Sequence, residues 1–302
     1  MATPSGAMSA SKLFDDVLAW LAREPAVESA ALFGSSAKPT AAAASSYFCT
    51  DIDLHVVSPT PVRLYNADWQ AVFPNQRFCC HANQTATGGT HKITIVFDDG
   101  LIDIVVVSRR QMQLARWAMR LRLYRNIGFV RTGLNELSTT LRAGYRFLKG
   151  QERWGELYAR VEKELPGVRL ADSEACALAD GFLVTLVIAF RWLERGELSA
   201  VQYALHRHLA ETNFRLMREL QLRREWLLPS FGLARRVEFL LPARELSWIQ
   251  VSARLAHDEL LRALWSSFVG VRNLMAQLVP SWGIPPGFEE MIAPYATRPS
   301  QT

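Results

Sequence analysis

Three aspartates stand at positions where their chemistry would converge. Thr50-Asp51-Ile52-Asp53-Leu54-His55-Val56-Val57 reads as an apolar strand carrying two carboxylates two residues apart. Residues two apart on a strand share a face, so Asp51 and Asp53 project together while Ile52 and Leu54 pack behind them. Leu101-Ile102-Asp103-Ile104-Val105-Val106-Val107 reads as a buried central strand interrupted by a third carboxylate. A charge in such a run is costly without a partner. A divalent cation would cancel the repulsion among the three, which points to a Mg²⁺ site for phosphate chemistry. Ahead of them lies Ala31-Leu32-Phe33-Gly34-Ser35-Ser36, an apolar strand ending in a small-residue turn. Gly34 allows close backbone approach to a phosphate, and the amides and hydroxyls of Ser35 and Ser36 are suited to cradle it. The bland alternative makes Asp51 a strand-entry cap, Asp53 an exposed residue and Asp103 an ion-paired core residue.

The elements that must position these groups follow from the hydrophobic pattern. Ser11 to Arg23 has helical spacing, and Val27 to Phe33 reads as the first strand. Asp51 to Val57 is the second strand, stopped by Ser58-Pro59-Thr60-Pro61. A short helix over 66–72 and an edge strand over 77–82 follow. Lys92 to Phe97 and Leu101 to Val107 form a hairpin around Asp98-Asp99-Gly100. Beyond Arg109 the period becomes helical. Helices are expected near 111–124, 135–149, 152–165, 173–195, 198–226, 231–240, 244–256 and 257–279. The expected organisation is a catalytic α/β domain over 1–110, a helical acceptor-binding domain over 111–285, and a poorly ordered tail over 286–302.

This pattern resembles the nucleotidyltransferase superfamily that includes DNA polymerase beta. That family's signature is an apolar strand, Gly-Ser, a spacer, Asp-x-Asp and a later strand with a third acidic residue. A closer resemblance is to the streptomycin (aminoglycoside) 6-adenylyltransferases. It rests on Leu32-Phe33-Gly34-Ser35, on Asp51-Ile52-Asp53 and on the stretch Ile95-Val96-Phe97-Asp98-Asp99-Gly100-Leu101-Ile102-Asp103-Ile104. It covers about the first third of the chain, with loose similarity around Arg191 to Leu209. The resemblance implies a nucleotidyltransferase-type mixed sheet flanked by helices, followed by an all-helical C-terminal domain. It implies Mg²⁺ as cofactor, ATP as co-substrate and transfer of AMP to an acceptor hydroxyl, with an aminoglycoside such as streptomycin as acceptor. The alternatives are adenylylation of a protein or RNA hydroxyl, or a nucleotide-binding regulatory module with reduced catalysis. Asp51 and Asp53 would hold the metal. Asp103 would complete a metal site or act as general base, and the resemblance favours the base. Two departures stand out: Ser36 replaces the arginine usual after Gly-Ser, and the spacer before Asp51 is long. Lys38 and Lys92 are the candidates to replace the missing triphosphate contact.

Charge is unevenly distributed. Residues 1–110 carry 8 Lys/Arg against 10 Asp/Glu, a net −2, leaving +7 for the remainder of a chain whose total is +5. A polycationic acceptor would call for local acidic side chains, with Glu152, Glu156, Glu194, Glu197 and Glu211 as candidates. His55 reads as a packed or surface histidine, and His206 and His208 diverge on a helix. The Arg116 to Arg122 run reads as a solvated helix face, so nucleic acid is not an expected partner. The four cysteines show no metal or disulfide spacing. With no targeting signal read at the N-terminus, a cytoplasmic protein with reduced thiols is expected. Gly181 to Phe190 is too short to span a bilayer and is expected to be a core helix.

Overall fold

The computed structural model describes residues 6–34, 50–85, 90–224 and 237–296. The chain divides into two units, Met1–Val168 and Arg169–Thr302. The first holds a helix α1 (Gly6–Arg23) and strands β1 (Ser29–Phe33) and β2 (Thr50–Ser58). Short helices α2 (Pro61–Tyr65) and α3 (Trp69–Val72) lead to β3 (Phe78–Thr85), β4 (His91–Phe97) and β5 (Gly100–Ser108). Helices α4 (Arg109–Arg120) and α5 (Gly128–Arg142), strand β6 (Tyr145–Lys149) and helix α6 (Gln151–Glu164) complete it.

The six strands form one mixed sheet in the order β3-β4-β5-β2-β1-β6. Its centre is the parallel pair β2/β5; every other pairing is antiparallel. Period-2 alternation divides the faces. Ile52, Leu54, Val56, Ile93, Ile95, Ile102, Ile104 and Val106 turn one way and form a core with Leu13, Val17, Trp20 and Leu21 of α1 and with Leu64, Trp69 and Phe73. The residues between them, including Asp51, Asp53 and Asp103, therefore occupy the opposite face. The Asp98-Asp99-Gly100 segment makes the tight β4/β5 connection, with Phe97 paired to Gly100.

Strand β6 departs from the helix expected over 135–149. Gly144 ends α5 at φ 109 and Gly150 starts α6 at φ 70, conformations that favour glycine. Between them Tyr145–Lys149 adds to the open edge of β1. The first unit extends past the change of period near Arg110, because β6 joins the sheet, α4 and α6 pack on it, and α5 packs on α6.

Glu28, only 8% exposed, fastens the two helices next to β1. Arg109 from α4 and Arg153 from α6 both pair with it, and Trp154 Nε1 donates to its Oε1 at 3.0 Å. Arg116 lies over the Trp154 ring at 4.3 Å, while Arg116, Arg120 and Arg122 are all exposed, as expected of a solvated arginine face. Trp117 on the same helix is exposed.

The second unit is helical: α7 (Asp172–Glu194), α8 (Leu198–Ala204), a π-helical turn over Leu205–Leu209, α9 (Ala210–Arg223), α10 (Val237–Leu240), α11 (Ala243–Leu246), α12 (His257–Leu278) and α13 (Phe288–Ala296). Helix α7 is long and apolar enough to cross a membrane. Its Ala175, Ala179, Phe182, Leu186, Ala189 and Phe190 are instead packed in this unit's core. A Cβ on Gly270 of α12 would meet the Trp248 carbonyl at 2.1 Å, so glycine is needed for that approach. The helix expected over 244–256 stops at Leu246, and Phe288–Ala296 is helical where an unstructured tail was expected.

The architecture is thus a mixed sheet flanked by helices with a helical C-terminal unit, the expected fold class.

Candidate active site

Strand register brings the aspartates together. Asp53 pairs with Asp103 across the parallel β2/β5 ladder, which puts their Cα atoms about 4.8 Å apart. Asp51 lies two residues before Asp53, on the same face. The row continues outward in both directions. Asp53 pairs with Phe33 on β1, Phe33 with Tyr145 on β6, and Asp103 with Thr94 on β4. Gly34 follows Phe33 at the end of β1 with φ 76, in the left-handed region that favours glycine. Ser35, Ser36 and Lys38 lie outside the described residues.

Both carboxylate oxygens of Asp103 are engaged from β4. Thr94 Oγ1 donates to Oδ1, and Lys92 Nζ lies 2.6 Å from Oδ2. Lys92 itself pairs with Val105, one step further along the ladder, so its long stem reaches diagonally back to the aspartate. Lys92, expected to meet a triphosphate, here supplies the counter-charge that the buried-strand carboxylate requires. Asp51 and Asp53 are half-buried, and both have interaction partners.

Among the described residues, no three His, Cys, Asp or Glu side chains are grouped as a ready-made metal cluster. The donor chemistry nevertheless fits Mg²⁺. This ion takes oxygen ligands and is commonly held by one or two carboxylates plus substrate phosphates, without a closed cage of side chains. Asp51 and Asp53, on one face of β2, would be the pair to hold it. Asp103, expected either to complete a metal site or to act as general base, has both oxygens engaged by Thr94 and Lys92.

The next residue along β2, on the same face, is His55. It is buried, and desolvation lowers its pKa from 6.5 to about 4, so the ring is neutral. Tyr158 of α6 bonds its Nδ1, and burial pushes the Tyr158 pKa up, keeping the phenol protonated as donor. Phe33, Tyr145 and Phe147 surround this pair with ring centroids 4.9–6.4 Å apart. An aromatic wall therefore backs the carboxylate row. The packed-histidine reading of His55 holds, but Tyr158 was not anticipated; its only signal is an aromatic residue on the apolar face of a helix.

The glutamates expected to meet a cationic acceptor belong to both units. Glu152 and Glu156 are exposed on α6. Glu197 pairs with Arg195 and Glu211 with Arg207, while Glu194 accepts from Tyr295. A cavity of about 490 Å³ in the second unit, bordered by Arg272, Trp282, Pro285, Glu289 and Glu290, contains none of the residues expected to act.

No protein-family model and no curated protein matches the chain. Among solved structures it is similar to an aminoglycoside 6-adenyltransferase from Bacillus subtilis, at 12% identity and TM-score 0.40, over 95% of this chain and 96% of that one. It is also similar to a nucleotidyltransferase-like protein from Exiguobacterium sibiricum, at 11% identity and TM-score 0.26, over 89% of this chain and 76% of that one.

Proposed function

We propose that the chain is a nucleotidyltransferase that moves AMP from Mg-ATP to an acceptor hydroxyl. The observation that carries this reading is the single sheet face that Asp51, Asp53 and Asp103 share, with the left-handed Gly34 at the end of the neighbouring strand. Asp51 and Asp53 would hold Mg²⁺, which when bound spreads the negative charge developing on departing pyrophosphate. Asp103 is the group to receive the acceptor's proton. Before substrates bind, Lys92 and Thr94 each hold one of its oxygens, and Thr94 fixes the plane of the carboxylate. The acceptor oxygen bonds to the α-phosphorus, the bond from that phosphorus to the bridging oxygen breaks, and the proton passes to Asp103. Gly34 leaves room for the phosphates, and Ser35, Ser36 and Lys38, which follow it in sequence, are their proposed cradle. The rigid Phe33-His55-Tyr158 backing keeps the strand from shifting as charge moves.

For the acceptor we propose an aminoglycoside such as streptomycin, on the resemblance of the 95–104 hairpin and the Asp-x-Asp strand to the 6-adenylyltransferases. Incubation with labelled ATP, Mg²⁺ and a panel of aminoglycosides tests this by pyrophosphate release and product mass. An AMP-mass adduct on a drug supports the reading. Label on protein or RNA alone would replace the acceptor class, and ATP binding without turnover would replace the enzyme by a nucleotide-binding module.

A further inference from the structure

Lys92 sits where a metal's charge would act. The carboxylates of Asp51, Asp53 and Asp103 share one sheet face. The Lys92 ammonium reaches out of its own ladder position to touch Asp103. Its side chain is 33% exposed while that of Asp103 is 16% exposed. The lysine is thus the more exposed member of the pair, whereas the aspartate is also held by Thr94.

We propose that Lys92 is an exchangeable counter-cation: it neutralises Asp103 in the empty enzyme, yields to the incoming divalent cation, and transfers its charge to the nucleotide's phosphates. The proposal rests on the nucleotidyltransferase reading of the same face. A dication held beside Asp53 would stand one strand spacing from Asp103 and repel the ammonium. Polyphosphate arriving with the cation gives the displaced ammonium a new anionic partner, and the lysine's four-carbon stem allows the movement. Coupled exchange of this kind would make empty carboxylates poor metal scavengers and reserve tight metal binding for the nucleotide complex.

The test is Lys92→Met, which keeps the stem and removes the charge, with Lys92→Arg as the charge-retaining control. Mn²⁺ is titrated without nucleotide, following free Mn²⁺ by electron paramagnetic resonance. A non-hydrolysable ATP analogue is then titrated at saturating Mg²⁺. We expect Lys92→Met to bind Mn²⁺ about tenfold tighter and the analogue about tenfold weaker, while Lys92→Arg stays near wild type in both. Opposed shifts are the signature of a lysine whose charge acts on both the cation and the phosphates, and a lysine that only packs on the strand gives neither. If either shift is absent or reversed, the exchange is overturned. Should the methionine variant be unstable, the rise in its melting temperature on adding Mn²⁺ reads the same affinity, and a larger rise than in wild type is expected. Wild-type protein that binds neither Mn²⁺ nor the analogue would refute the underlying nucleotidyltransferase reading; wild-type binding with an unchanged Lys92→Met refutes the exchange alone.

Discussion

The His55–Tyr158 pair makes stability depend on pH in a way that can be calculated. In the folded chain His55 is buried and neutral, with its pKa lowered from 6.5 to about 4. In the unfolded chain the imidazole titrates near its ordinary value. Between these values the unfolded state binds the extra proton, so stability falls as pH falls and is recovered as pH rises. For this shift the loss between pH 7 and pH 5 is about 2 kcal/mol from this one group. His55→Gln removes the titration while keeping a polar side chain. Urea unfolding of wild type and variant across this range should give stability curves that converge on the acid side. Nuclear magnetic resonance of the six histidines should show one imidazole neutral at pH 5, and the variant identifies it. Parallel stability curves, or a His55 that titrates near 6.5, would refute the claim that the carboxylate row is backed by a dry wall.

Two further perturbations test how that wall is built. Gly150→Ala forces a left-handed non-glycine residue and drives its Cβ to 2.5 Å from the Glu28 carbonyl, so we expect a loss of at least about 2 kcal/mol in denaturant unfolding. Glu28→Gln removes the shared partner of Arg109 and Arg153. Those arginines are partly solvated, so a cost of about 1–2 kcal/mol is expected, read as a lowered melting temperature.

The sequence pattern was most legible where periodicity and turn chemistry are local. The β2 alternation, the β4/β5 hairpin around Asp98-Asp99-Gly100, and the shared face of Asp51 and Asp53 are all local properties. So is the helix that Gly181 to Phe190 belongs to. Strand β6 was missed because Tyr145–Lys149 is short and follows a genuine helix. Its signals are the flanking Gly144 and Gly150 and the alternation within Tyr145-Arg146-Phe147-Leu148-Lys149, while its stability comes from pairing with β1 more than a hundred residues earlier. The Tyr158 bond to His55 has the same origin, with 103 residues separating its partners. Asp103 was legible as a carboxylate that needed a counter-charge, but the cation touching it is Lys92, whose reach across the ladder depends on strand register. At the other end, Phe288–Ala296 owes its order to Phe288 and Ile292, which join the second unit's core.

The most direct measurement compares wild type with Asp51→Asn and Asp53→Asn in pyrophosphate release from Mg-ATP, in the presence of an acceptor that wild type modifies. Circular dichroism of each variant establishes that it is folded. Both substitutions keep side-chain size and remove one negative oxygen donor, so release should fall to background while the helix and strand signals stay unchanged. Release at the wild-type rate by either folded variant would contradict the assignment of this sheet face to nucleotidyl transfer.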